Sequence, residues 1–165
     1  MAAPAHKDEV PGAIRVAARA LIIEEGRLLV MTMADAKGQW CVTPGGGVHR
    51  GETLGQGLRR EVREEVGIEV TPDDIVYVRE LIGSSVKVQF GGINSDTHQL
   101  EIFFHCRRKG EVKLGENPDT HCTGFAWVPL KELKQRNFFP ETLAERLSGD
   151  VSTGFVPHRN YLGDA

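Results

Sequence analysis

Cysteine is scarce: three residues, Cys41, Cys106 and Cys122, in a chain of 165. The count is odd and the spacing unpatterned, so no disulfide framework is implied, and the expected setting is a reducing cytoplasm. Long apolar runs are absent too. No stretch approaches the roughly 20 apolar residues that a spanning helix needs, so no membrane segment is expected. Residues 1–12 carry His6, Lys7, Asp8 and Glu9 where a signal peptide would have an apolar core. Neither sign of charge is in excess: 20 Lys and Arg stand against 23 Asp and Glu, a formal net charge of −3. That balance is unlike a chain that coats nucleic acid, and no stable nucleic-acid partner is expected. Aromatics are few, at 7 %, while the apolar (40 %) and charged (26 %) fractions are those of an ordinary globular domain. One domain of this length can bury roughly 70 % of its unfolded surface and needs no metal or disulfide staple.

Glycine, by contrast, is plentiful and punctuates the chain. Residues 1–12, rich in Ala, Pro and charge, read as a flexible arm. Residues 14–23 and 27–33 are β-rich and joined through Glu24-Glu25-Gly26, the pattern of a hairpin. A short strand at 40–42 ends at Pro44, and Gly45-Gly46-Gly47 then reads as a loop. Residues 53–66 have helical periodicity and stop at Gly67, as a helix C-cap would. Asp73-Asp74 reads as a turn. Residues 75–82 and 99–107 read as strands around a Gly/Ser/Asn-rich loop, 125–130 as a last strand, and 131–134 and 141–147 as helices. Strands and helices are interspersed without a βαβ rhythm, which makes the class α/β in content and α+β in arrangement. One domain is expected over 13–150, followed by a tail, 151–165, in which Tyr161 and Leu162 pack back on it.

The helix ending at Gly67 is the informative one. With Leu54 set at zero and 100° per residue, Leu58, Val62 and Val66 fall at about 40°, 80° and 120°, an apolar stripe that faces a core. On the same scale Glu61 falls at about −20°, Glu65 at about 20° and Glu64 at about −80°, while Arg59 and Arg63 take the far side. Carboxylates on or beside a buried stripe repel one another and tend to protonate. Arg60 can pair with Glu64 one turn on, but one guanidinium does not balance three carboxylates with Glu52 nearby. A hard divalent cation does, and Mg²⁺ binds carboxylates while keeping waters and substrate phosphates. The plainer alternative, a charged surface laced with i,i+4 pairs, conflicts with the phase of the stripe.

At these residues the chain resembles the Nudix hydrolase family. Gly46, Glu52 and the run Arg60-Glu61-Val62-Arg63-Glu64-Glu65-Val66-Gly67-Ile68 match the Nudix box at each defining position. The Pro-Gly-Gly-Gly approach and the Trp127-Val128-Pro129-Leu130 segment are similar to the family as well. The resemblance implies a mixed β-sheet sandwiched between helices, and hydrolysis of a nucleoside diphosphate linked to another moiety. By carry-over Glu61, Glu64 and Glu65 are catalytic metal ligands, one of them also orienting or deprotonating the water, and Glu52 joins the metal set in support from the loop. Arg60 orients the carboxylates, and Gly46 lets the loop turn tightly over the helix start. The implied cofactor is Mg²⁺, with Mn²⁺ as an alternative, and the implied partner is a small nucleotide; a homodimer is left open. Subfamily marks are missing: where the ADP-ribose type carries a Pro beyond the box, this chain has Gly83, Ser84 and Ser85. The expected substrate is a nucleotide sugar or an ADP-ribose-like compound. The alternatives are a nucleoside triphosphate pyrophosphohydrolase, an RNA 5′-end pyrophosphohydrolase, or a nucleotide-sensing module without catalysis. A basic track would mark the RNA enzyme, and the intact Arg60, Glu61, Glu64 and Glu65 argue against the inert module.

Outside the box, strand alternation puts Leu100, Ile102, Phe104 and Cys106 on one face and Gln99, Glu101, Phe103 and His105 on the other. Glu101 is thus a carboxylate beside Phe103 that needs a partner. It is expected to supply a further catalytic carboxylate to the site. Pairing with Arg15 or Arg19 is the structural alternative, and Glu116 and Asp119 compete for the same role. Arg15 and Arg19 share a face of the first strand and suit a substrate phosphate, or are solvated edge residues. His105-Cys106 and His121-Cys122 invite a zinc reading, but adjacent strand residues point to opposite faces. Gly45-Gly46-Gly47 is no Walker loop, since no Gly-Lys-Ser/Thr follows.

Overall fold

In the computed structural model, which describes residues 12–87, 91–155 and 160–163, the first element is β1 (Arg15–Glu24), followed by β2 (Arg27–Asp35). Glu25 (φ 49°) and Gly26 (φ 71°) link them in the doubly left-handed conformation of a two-residue hairpin. Next come β3 (Gly38–Val42), β4 (Gly45–Gly47), helix α1 (Leu54–Val66), β5 (Glu69–Ile82), β6 (His98–Lys109), β7 (Cys122–Pro129) and helix α2 (Glu141–Ser152). The sheet runs β3-β2-β1-β6-β5, with β4 beside β1 and β7 beside β2. Of the strand pairs among the described residues, β1 and β6 run parallel and the rest antiparallel. The mixed sheet and two helices are the α+β arrangement expected.

Side-chain alternation sorts the core into two clusters. Ala18, Ala20, Ile22, Ile102, Phe104 and Cys106 pack under Leu58, Val62 and Val66 of α1. Leu21, Tyr77 and Phe103 lie on the other face with Leu143 and Leu147 of α2. Each of the three fully buried α1 side chains removes apolar surface worth roughly 2 kcal/mol. His105 and Cys106 do point apart: Cys106 is in the first cluster, whereas the His105 ring meets Phe155, 5.4 Å between centroids.

Three local expectations need correcting. Gly45-Gly46-Gly47 is not a loop but the buried strand β4, paired to Ala17, Ala18 and Arg19. It lies so close to β1 and α1 that a Cβ at Gly45 would stand 2.2 Å from the Ala18 carbonyl oxygen. Glycine is there because no side chain fits, a requirement that reads locally as a chain breaker. Asp73-Asp74 is not a turn but part of β5, where register shifts on either side of Ile75 form a bulge. Residues 131–134 do not form an α-helix; two 3₁₀ turns, Leu130–Glu132 and Lys134–Arg136, occupy the segment. Helix α2 runs beyond both 147 and 150. The arm expected over 1–12 lies outside the described residues except for Gly12, and of the tail only 151–155 and 160–163 are described. There, Val78 donates its N–H to the Asn160 carbonyl and Leu162 donates to that of Val78, so the tail lies along β5.

Candidate active site

Helix α1 is fixed at both ends. Thr53 and Gln56 form a capping box, each backbone N–H bonded by the other's side chain (2.8 and 3.2 Å). At the far end the four orphan carbonyls all find donors: Gly67 to Arg63, Asn117 to Glu64, Gly115 to Glu65 and Lys113 to Val66, at 2.7–3.2 Å. The loop after β6 is thus clamped onto the C-terminus of α1. Gly115 must be Gly for this, since a Cβ would meet the Glu64 carbonyl oxygen at 2.0 Å.

On this rigid helix the acidic side chains grade from buried to half-exposed. Glu65 is 9 % exposed, and its Oε2 accepts the Gly45 N–H at 2.8 Å. Glu61 packs over Gly46, whose missing Cβ would lie 2.6 Å from the Glu61 carboxyl. Glu64 is the most open of the three, with 39 % of its side chain accessible. Arg60 lies among them. It grips Glu52 with two nitrogens (2.7 and 2.9 Å), reaches Glu61 at 2.7 Å and the Gly47 carbonyl at 2.9 Å, and stands 3.6 Å from Glu64. This bidentate contact holds the Glu52 carboxyl down at about 2. Burial does the opposite at Glu65. Against the Gly45 N–H and the Arg19 charge, and aided by the charges of Glu61 and Asp119, it pushes that carboxyl up to about 8.

Strand β4 thus leads into a helix clamped at both ends, with Glu65 buried against Gly45, Glu61 packed over Gly46 and Glu64 half-exposed. The model of the NUDIX domain matches residues 13–147. The chain belongs to the Nudix hydrolase family. Among curated proteins, nucleoside triphosphatase NudI of Escherichia coli K12 is 33 % identical over 127 residues, covering 68 % of this chain and 80 % of that protein. Among solved structures, a NUDIX hydrolase from Nitrosomonas europaea superposes with a TM-score of 0.68 at 19 % identity (86 % of this chain, 90 % of that one). An ADP-ribose pyrophosphatase from Streptococcus suis gives 0.61, also at 19 % identity (92 % and 100 %). At that identity the structural matches speak for the fold.

Nudix hydrolases generally use divalent metal ions, and the residues of this Nudix chain fit one. Burial holds the Glu65 carboxyl protonated up to about pH 8, a nearby cation would favour its ionised form, and Glu61 and Glu64 share its helix. Among the described residues no group of three or more acidic, His or Cys side chains is drawn together as a metal-binding cluster. An ion such as Mg²⁺ would draw on one or two of these carboxylates and complete its shell with water and phosphate.

The remaining sequence candidates are dispersed around this centre. Glu101, 4 % exposed, faces arginines: Arg79 at 2.5 Å and Arg19 at 3.2 Å. Arg15 donates to Gln99 at 2.8 Å and packs against Gly47. Asp119 is exposed, yet its charge reaches Glu65; Glu116 is exposed on the same loop. Two participants lie outside what the sequence pattern singles out. Arg79 is one, although an arginine alternating with Tyr77 and Leu81 on an inward face is a readable signal. The Gly45 N–H is the other, and as a backbone group it leaves no side-chain signature.

The Glu65 environment has a consequence for stability. Its native value exceeds the unfolded one, about 4.3, so between the two the folded state holds a proton that the unfolded state has lost. In EDTA, this group's contribution is fully present below about pH 4 and falls as pH rises, levelling off above about pH 8. Glu52 acts oppositely, its contribution being lost only as pH falls toward about 2. Thermal melts of wild type and Glu65→Gln from about pH 5 to about pH 9 should diverge steadily, wild type losing ground, and millimolar Mg²⁺ should close the gap most at high pH. A gap independent of pH would contradict this.

Proposed function

We propose that this Nudix hydrolase is a divalent-cation-dependent pyrophosphohydrolase whose substrate is a nucleoside triphosphate. The observation that carries the cation dependence is Glu65: buried on the box helix, held by the Gly45 N–H, and adjoined by Glu61 and Glu64. In this reading Glu61, Glu64 and Glu65 hold Mg²⁺ or Mn²⁺. Glu52 anchors Arg60, Arg60 keeps Glu61 in place, and Gly46 gives Glu61 the room it occupies. When bound, the cation draws charge from phosphoryl oxygens and acidifies water. The reaction adds water across the anhydride between the first and second phosphates, releasing nucleoside monophosphate and pyrophosphate. Arg15, half-buried beside Gly47 at the start of β1, would meet the phosphate chain in this reading. The donors of Arg19 are turned to Glu101 and Gly45.

The likeness to nucleoside triphosphatase NudI favours the triphosphate over the nucleotide sugar or ADP-ribose. Product analysis over a panel of nucleoside triphosphates, nucleotide sugars, ADP-ribose, dinucleotides and 5′-triphosphorylated RNA tests it. A triphosphate should lead in kcat/KM by about tenfold or more, with pyrophosphate as product. A lead of similar size for a nucleotide sugar or ADP-ribose, split into two monophosphates, would overturn the substrate assignment and leave the site assignment standing.

A further inference from the structure

On the sheet face away from α1, Glu101 of β6 lies between two arginines. Arg79 Nη1 donates to its Oε2 at 2.5 Å. Arg19 Nε and Gln99 Nε2 donate to its Oε1 at 3.2 and 2.9 Å. Arg79 is fully buried, and its guanidinium lies over the Phe139 ring, 4.4 Å from the centroid. Neither partner of a buried pair can turn away without stranding a charge, so Glu101 is a fixed anchor. Held by it, Arg19 aims Nη1 at the Gly45 carbonyl oxygen, 2.8 Å away. The same Gly45 gives its N–H to Glu65 Oε2, also at 2.8 Å. Four hydrogen bonds therefore run without a break from Arg79 to the most buried carboxylate of the box.

Gly45 has no side chain by which it can be steered, and none would fit. Arg19 grips its carbonyl, and a guanidinium fork suits the task because it spans Glu101 and that oxygen together, which the point charge of a lysine does not. We propose that Arg19 and Glu101 are positioning residues, which through Gly45 set the direction in which Glu65 presents its carboxylate to the divalent cation. The inference rests on the reading of Glu65 as a cation ligand. It gives Glu101 a part in the site without contact to the cation or the substrate.

Arg19→Lys is the test, because it keeps the charge beside Glu101 and loses the fork. Glu101→Gln leaves the buried Arg79 without its anion and is the harsher companion. Mn²⁺ binding to metal-stripped protein, read by electron paramagnetic resonance without substrate, should weaken about tenfold in Arg19→Lys. The kcat should fall by a similar factor, with KM within about twofold of wild type. In a Glu65→Gln background the same substitution should cost less than about twofold in either quantity, since the group it steers is gone. Losses that add fully in that background would overturn the proposal. So would a lowered melting temperature with Mn²⁺ affinity intact, which marks a purely structural network, or a raised KM with kcat unchanged, which makes Arg19 a direct substrate ligand. If metal-stripped wild type itself binds no Mn²⁺, the reading of Glu65 fails first and this inference falls with it.

Discussion

Glu65→Gln is expected to fold as the wild type does and to lose about 10²-fold or more of kcat at saturating Mg²⁺. The substitution is isosteric. An amide oxygen can still accept the Gly45 N–H, so the 2.8 Å contact that docks α1 against β4 survives. What disappears is the negative charge. Because burial already disfavours that charge in the free protein, its loss should not destabilise the fold, and above about pH 8 in EDTA the variant should melt higher than wild type. Catalysis is the reverse case, since in this reading the cation loses an anionic ligand that holds and orients it against the phosphate. Circular dichroism establishes the fold and steady-state kinetics the loss. Turnover within a few-fold of wild type would remove Glu65 from the machinery.

Gly45→Ala is expected to be among the most damaging single-methyl additions in the chain, costing about 3 kcal/mol or more of stability and the activity with it. Its φ of 131° is one that side chains rarely adopt, and the new Cβ would stand 2.2 Å from the Ala18 oxygen and 2.9 Å from the Arg19 Cα. Strand β4 would have to leave β1, taking with it both groups that connect Arg19 to Glu65. Gly26→Ala is the control. Gly26 also has a positive φ, 71°, but nothing lies within 4 Å of its Cβ position, so it should lose only about 1 kcal/mol. Urea midpoints of the two variants measure the difference; equal losses would mean that β4 has more freedom than its contacts imply.

How much of this was legible in the sequence follows from the range of the forces concerned. The phase of α1 is local: with 3.6 residues per turn, Leu58, Val62 and Val66 name the buried side, and Glu61 and Glu65 fall on it wherever the helix is packed. The hairpin at Glu25-Gly26 and the caps of α1 are local in the same sense. The sheet register is not. That Gly45 lies opposite Arg19, 26 positions away, depends on how β4 docks between β1 and α1, and a glycine run carries no trace of it. Glu101 is legible as a buried acid needing a partner, and Arg19 on the neighbouring strand is a readable partner for it. Arg79 entered only with the β5–β6 pairing, which sets it opposite Glu101. The bulge at Asp73-Asp74 reads as a turn for a related reason: local composition describes the kink, while continued pairing to β6 keeps it inside a strand.

Initial-rate hydrolysis by metal-stripped wild type, titrated with Mg²⁺ on the best substrate of the panel, tests the site assignment most directly. Hydrolysis should be absent in excess EDTA, return with Mg²⁺ or Mn²⁺ to full rate, and stay about 10²-fold or more lower in Glu65→Gln at every cation concentration. Full turnover of the stripped enzyme in excess EDTA would contradict it.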